Sequence, residues 1–334
     1  MKPYSVIVFG GAASANVLGS ASPRPCVRVH SHAELVAQGS RRRFAIAFVD
    51  CDLLPELDPR QIRLPIVALI AASSRPLPSA IQTLAAYPWL SHTLALGALA
   101  NAPVARAYLD QFLDRVFTGA EHPVLGATGV GRIAMLASAN RREERFASMR
   151  EFFGRHELSD RVASAVLEVA EELVMNALYD APFEAGYLKN AVPRSENIDL
   201  PDEHACEISY GIERDEVFVR LRDTFGAFTR SRLVEVLARC SATSVELDET
   251  RGGAGLGLWR IFSVASTVSL TVIEGQLTDI IVSMSTQRGR NAKALRAIDL
   301  FFTTKPATVD RSDSVALPSD IEVLDQSVTL IVRS

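Results

Sequence analysis

The sequence predicts an α/β protein in two parts: a parallel α/β sandwich over residues 1–119, then an α+β sandwich over residues 131–287. Three observations predict it. In the first part, short runs rich in Val, Ile, Leu and Phe alternate with helix-spaced segments, the pattern of parallel strands buried on both faces. A stretch rich in Gly, Pro and small residues interrupts this rhythm at 120–130 and reads as a linker. Beyond it, a long amphipathic helix is followed by an alternating hairpin, a glycine loop, another helix and a second hairpin.

The chain has 334 residues, enough for two domains, with 48% hydrophobic and 22% charged residues, the balance of a soluble globular protein. A net charge of −4 offers no electrostatic attraction to nucleic acid or an anionic membrane, so neither is expected as a partner. The four cysteines, Cys26, Cys51, Cys206 and Cys240, are scattered without a CxxC pair or a histidine cluster. They read as reduced thiols of a cytoplasmic protein. The apolar run Val6-Ile7-Val8-Phe9 is too short for a signal-peptide core, and no stretch has the length of a membrane span.

In order along the first part, residues 4–9, 44–49, 64–70 and 92–96 are buried-strand candidates, and residues 32–38 and 104–117 have helical spacing. In the second of those helices Tyr108, Leu109, Phe112, Leu113 and Val116 share a face. The run Phe44-Ala45-Ile46-Ala47-Phe48-Val49-Asp50, followed by Leu53-Leu54-Pro55, resembles the phosphoacceptor strand of a response-regulator receiver domain. That family holds magnesium with an acidic pair after its first strand and uses a lysine after a later one. Here the first strand ends Phe9-Gly10-Gly11-Ala12, and Thr93-Leu94-Ala95-Leu96-Gly97 contains no lysine. The resemblance therefore implies a pseudo-receiver used for docking or homodimerisation, with Asp50 capping a strand end. In the linker, Gly126-Ala127-Thr128-Gly129-Val130-Gly131 imitates P-loop spacing, but Arg132 and Ile133 stand where Lys and Ser/Thr are needed.

The second part opens with a strand over 132–137. Ser159 and Asp160 then mark a helix start, and Val162, Val166, Val169, Ala170, Leu173, Val174 and Ala177 continue with helical spacing to Asp180-Ala181-Pro182, where proline is expected to stop the helix. Glu172 and Asn176, four apart, project from one face, a carboxylate beside an amide. A polar excursion over 183–203 precedes strands at 205–212 and 216–222, a hairpin that closes through Arg214-Asp215 and ends in Asp223-Thr224-Phe225-Gly226-Ala227-Phe228. Next come a helix over 230–240, a polar stretch over 241–251, and Gly252-Gly253-Ala254-Gly255-Leu256-Gly257-Leu258-Trp259. Alternating glycines let a backbone approach a ligand closely, and a helix starting at Leu258 would present free N–H groups and its positive dipole end there. Strands at 267–273 and 278–284 close this part through Glu274-Gly275-Gln276.

This order of parts resembles the Bergerat ATP-binding fold of gyrase, mismatch-repair ATPases, heat-shock chaperone ATPases, sensor histidine kinases and anti-sigma-factor serine kinases. The likeness is closest to the last group and spans roughly residues 132–287. It implies ATP and Mg2+ as cofactors. Glu172 then matches the acid that activates the attacking hydroxyl or water, and Asn176 the magnesium ligand. Asp223 matches the acceptor for the adenine amino group, and Thr278 the support of an adenine-bound water. Gly226 supplies the turn after Asp223; Gly253, Gly255 and Gly257, with the helix from Leu258, wrap the phosphates. Residues 227–251 would form the ATP lid.

The chain departs from the family at Phe225 and Ala227, which stand where glycines would pass the nucleotide, and at Asp180, where kinases often carry a basic residue. His156-Glu157-Leu158 imitates a sensor-kinase phosphorylation motif but sits within the ATP unit, at a turn between helices. Two readings stay open. One is a cytoplasmic regulator that acts on a protein partner as a Ser/Thr kinase or nucleotide-dependent switch; the other is an inactive scaffold of the same fold. In the tail, 288–334, the basic run Arg288, Arg290, Lys293 and Arg296 reads as a solvated helix face. Leu300-Phe301-Phe302 is apolar enough to dock on the body, residues 305–320 read as a loop, and residues 327–332 resemble a final strand.

Overall fold

The computed structural model describes residues 5–22, 24–42, 44–71, 76–100, 102–118, 129–241, 256–286, 297–303 and 328–331. In the first half Ser5–Phe9 (β1), Cys26–Val29 (β2), Ala45–Asp50 (β3), Ile66–Ile70 (β4) and His92–Ala95 (β5) form parallel strands in the order β2-β1-β3-β4-β5. That is a doubly wound order. Helices Ala12–Ala21 (α1), His32–Ser40 (α2), Pro76–Ala86 (α3) and Ala102–Thr118 (α4) accompany them. Because side chains alternate along a strand, each strand feeds two cores. Ile7, Phe9, Ala47 and Val49 join one with Leu35, Ile81 and Leu84, while Val6, Val8, Ile46 and Phe48 join the other with Leu18, Leu109 and Phe112.

The second half contains Val130–Leu136 (β6), Arg142–Arg155 (α5), Asp160–Met175 (α6), a π-helical turn at Asn176–Asp180, and Ala181–Glu184 (α7). Cys206–Glu213 (β7), Glu216–Asp223 (β8), Arg230–Ser241 (α8), Leu256–Val264 (α9), Thr267–Ile273 (β9) and Leu277–Ser285 (β10) follow. The strands pair antiparallel in the order β6-β7-β8-β10-β9. Val217, Val219 and Leu221 of β8, with Ile280, Val282 and Met284 of β10, belong to the same buried cluster as Val166, Val169, Ala170 and Leu173 of α6. On the opposite face Arg220 is buried in a two-pronged pair with Asp279, at 2.8 and 2.7 Å.

Two local expectations are corrected, and a third, the helix start at Ser159 and Asp160, holds without the side-chain cap. Ser159 precedes α6 but its side chain makes no capping hydrogen bond; its backbone carbonyl accepts from Val162 and Ala163 instead. Pro182 does not end the helix. The chain widens into the π turn and continues into α7, where proline sits in the first turn and its missing N–H is tolerated. The last helix starts at Leu256, two residues before the expected Leu258, which lies in its first turn. His156 is found at the C-cap of α5, in a turn between helices, with Glu157 in the left-handed region.

The tail does more than dock. Ala297–Thr303 (β11) is a strand inserted between the halves, parallel to β9 and antiparallel to β5. Val328–Ile331 (β12) pairs antiparallel with β6. The described strands thus form one sheet in the order β12-β6-β7-β8-β10-β9-β11-β5-β4-β3-β1-β2. Around β11, Asp299 is buried and accepts a 2.9 Å hydrogen bond from the Tyr108 hydroxyl of α4, with His92 Nδ1 at 3.3 Å. Burial, then the Asp299 charge, push the Tyr108 hydroxyl pKa well up. Arg115 lies over the Phe301 ring at 4.6 Å and donates to Ser269 and Thr271 of β9.

A second joint lies on the helical side. Arg230, the first residue of α8, donates to the Leu84 (2.9 Å), Tyr87 (3.2 Å) and Leu90 (2.7 Å) carbonyls at the end of α3. A guanidinium suits helix-terminal carbonyls, which lack intrahelical donors and carry the negative dipole end. Arg230→Ala is expected to lower stability by about 2 kcal/mol in urea denaturation, a value set by losing charge-assisted bonds to three carbonyls, of which that of Tyr87 keeps the Leu90 N–H. A change below about 0.5 kcal/mol, the scale of an ordinary surface substitution, would count against this joint.

Candidate functional site

The predicted residues that are described fall in two groups on the second half: Asp223 and Thr278, paired at the end of β8 and the start of β10, and Glu172, Asn176 and Gly257, where α6 meets the first turn of α9. Asp223 ends β8 and is 3% exposed. Its Oδ1 accepts the Phe225 N–H at 2.9 Å and the Gly226 N–H at 3.4 Å, so the carboxylate folds its own turn. Burial raises its pKa to about 6 against the opposing pull of these N–H groups and of Thr278. Thr278 stands directly across the β8–β10 ladder, 1% exposed, and its hydroxyl lacks a well-formed hydrogen bond. A buried acid beside an orphaned hydroxyl is an arrangement that a polar ligand edge would satisfy.

Gly226 has φ of +57°, and its carbonyl accepts a 3.3 Å hydrogen bond from Gly275 in the β9–β10 turn. The turn after Asp223 is thereby locked onto that hairpin. Phe225 is buried: it stacks on His204 (4.9 Å between centroids, 22°) and meets Tyr187 at 5.7 Å. His204 Nδ1 lies 2.9 Å from the Thr224 hydroxyl. The space around Phe225 is therefore filled by an aromatic cluster of Tyr187, from the polar excursion, and His204, just after it.

Glu172 and Asn176 share one face as expected, with Asp180 brought onto it by the π turn. Four residues of α-helix advance the face by about 40°. A π turn rotates less per residue, so Asp180 is turned back toward the line of Glu172 and Asn176. Across all three lies Arg194, which the sequence reading missed. Its Nη1 donates to Glu172 Oε1 and Oε2 at 3.2 and 3.3 Å. Its Nη2 donates to Glu172 Oε1 (3.3 Å), Asn176 Oδ1 (2.9 Å) and Asp180 Oδ2 (2.6 Å). Burial tends to lower the Arg194 pKa, but Asp180 and Glu172 outweigh it and hold the guanidinium above its ordinary value.

The segment carrying Arg194 is tied down at both ends. The Tyr187 and Leu188 N–H groups donate to the Pro182 carbonyl, and the Tyr179 hydroxyl donates to the Glu196 carbonyl at 2.6 Å. Farther on, the Ala139 N–H donates to the Ile198 carbonyl and the Leu200 N–H to the Ala137 carbonyl. No periodic signal marks Arg194. Its partners lie on another element, and only the charge of a lone arginine after Asp180 could have hinted at it.

Gly257 lies in the first turn of α9 against Glu172; a Cβ there would overlap the carboxylate. The glycine brings the positive end of that helix onto the acid. Arg260, one turn on, pairs with Glu168 at 2.6 Å, and Leu258 is half-buried. Gly253 and Gly255 lie outside the described residues, as do residues 242–251 of the expected lid, the basic run from Arg288 and residues 305–320. In the first half, Asp50 Oδ2 accepts the Gly11 N–H at 2.7 Å, at the start of α1, and the carboxylate fills the space beside Gly10.

The two ends of the site differ in what they can hold. At the Asp223 end, the buried carboxylate and the Thr278 hydroxyl across the ladder offer an acceptor and a hydroxyl side by side. At the other end, Glu172, Asn176 and Asp180 present hard oxygens of the kind magnesium prefers, but Arg194 occupies them, so a metal does not fit this arrangement. Among the described residues no group of three or more His, Cys, Asp or Glu side chains forms a metal centre. Among them, too, no helix is long and apolar enough to cross a membrane.

No family profile and no curated protein matches the chain. Among solved structures it is similar to the SiaB–SiaC complex from Pseudomonas aeruginosa, with 16% identity, over 53% of this chain and 99% of that chain. The TM-score is 0.33, a likeness too slight to carry an argument.

Proposed function

We propose that the chain is a cytoplasmic signalling regulator whose second half binds ATP in a Bergerat-type site and acts on a protein partner as a nucleotide-dependent switch. The observation that carries the reading is the buried Asp223 carboxylate directly across the ladder from the buried Thr278, whose hydroxyl has no well-formed hydrogen bond. A buried acid held near neutrality is costly, and an exocyclic amino group that donates to it offsets part of that cost. Gly257 and the first turn of α9 supply dipole and N–H groups for the phosphate end.

Switching is favoured over Ser/Thr phosphotransfer because Glu172, the group that would activate a hydroxyl, is held by Arg194. The clamp of α8 on α3 gives nucleotide occupancy a route to the first half, whose receiver-like face would serve docking or homodimerisation. The second reading, a scaffold without nucleotide, is favoured by Phe225 filling the aromatic cluster with His204 and Tyr187.

Calorimetric titration separates them. ATP is expected to bind the wild-type chain, and Asp223→Asn is expected to weaken binding at least tenfold, about 1.4 kcal/mol. No binding by the wild type, or equal binding by the variant, would leave the scaffold. Phosphotransfer to a partner that is lost in Glu172→Ala would replace the switch with a kinase.

A further inference from the structure

The Arg194 terminus is spent on protein oxygens. Nη2 faces three acceptors, on Glu172, Asn176 and Asp180, while a terminal guanidinium nitrogen carries only two hydrogens. Nη1 is directed at both oxygens of Glu172. The Asn176 Oδ1 atom that a divalent ion would need is one of the acceptors taken, at 2.9 Å, and the Asn176 Nδ2 is buried without a partner. Two cations on one oxygen repel strongly at this separation. Removing the guanidinium would leave two carboxylates and an amide oxygen in a line, a donor set suited to a small hard cation.

We propose that Arg194 is a built-in lock on the cation position of this site: a divalent ion and the Arg194 side chain exclude one another. The proposal deepens the nucleotide reading and rests on it. Because the backbone on both sides of Arg194 is anchored, opening is a rotation of the side chain rather than departure of the loop. With 38% of its side chain exposed, Arg194 has solvent to turn into. Asp180 then acts as the latch: its 2.6 Å contact is the shortest of the set, and it stands where it holds the guanidinium over Asn176.

The test uses Mn2+ as probe on the full chain, with uptake read from loss of the free-ion EPR signal and no nucleotide present. Arg194→Gln is expected to take up one Mn2+ at least tenfold more tightly than the wild type, and adding Asn176→Ala is expected to abolish the gain. Equal Mn2+ affinity in wild type and Arg194→Gln overturns the lock, and so does a gain that survives Asn176→Ala. If Arg194→Gln fails to fold, Arg194→Met carries the same test, since it keeps an unbranched side chain without the charge. Failure of ATP to bind in the separate titration defeats the nucleotide reading, while the Mn2+ measurement still decides whether arginine and cation compete.

Discussion

Gly226→Val is expected to lower stability by about 3–5 kcal/mol. The left-handed backbone costs an L-residue roughly 1–2 kcal/mol, and more when the side chain is β-branched. At φ +57° a Cβ would overlap the Ile273 carbonyl and stand 2.8 Å from the Gln276 nitrogen and 2.9 Å from that of Gly275. Crowding of this kind in a packed site adds about 1–3 kcal/mol. Gly186 is the internal control: its φ is +75° but nothing lies within 4 Å of its Cβ position. Gly186→Val should therefore show the backbone term alone. Urea denaturation of both variants measures the difference, and equal losses would mean that the β9–β10 turn yields without strain.

The second large effect is a pH dependence. In the folded chain Asp223 keeps its proton up to about pH 6, above its ordinary carboxylate value, because burial disfavours the anion. The sign follows from proton binding. Below the unfolded value both states are protonated and the group imposes no penalty. As pH rises from about 4 to about 6 the unfolded chain releases the proton first, so stability falls, by about 3 kcal/mol at most over this window. Asparagine remains neutral, and its Oδ1 can still accept the Phe225 N–H, so Asp223→Asn should be flat across the window and more stable than wild type at pH 7. The variant predicted to bind ATP worse is thus predicted to fold better. Parallel stability profiles for the two proteins would refute the assignment.

Local periodicity made the frame of this site readable. Glu172 and Asn176 could be aligned because a helix face repeats every three to four residues. Asp223 was marked by the end of an alternating strand, and both hairpins by their turns. What remained unread depends on contacts between distant segments. Arg194 sits in an aperiodic loop and meets Glu172 and Asp180 only after that loop is anchored beneath Tyr179. The π turn leaves no mark in apolar spacing, so Pro182 looked like a stop. The apolar character of Leu300-Phe301-Phe302 announced burial, but its partners Leu270, Thr271 and Val272 could not be inferred from a tail considered alone.

The position of β11 also orders the chain's assembly in time. The first half can pair its parallel strands as soon as it leaves the ribosome, yet β5 then ends the sheet with an open row of backbone donors and acceptors. An exposed edge of that kind invites pairing with another nascent chain. The strand that covers it is made only after all of the second half, β9 and β10 included. Newly synthesised chain would therefore pass through a long interval of unprotected edge. A release of the polypeptide that stops short of Ala297 would leave a product prone to self-association rather than a shorter stable protein.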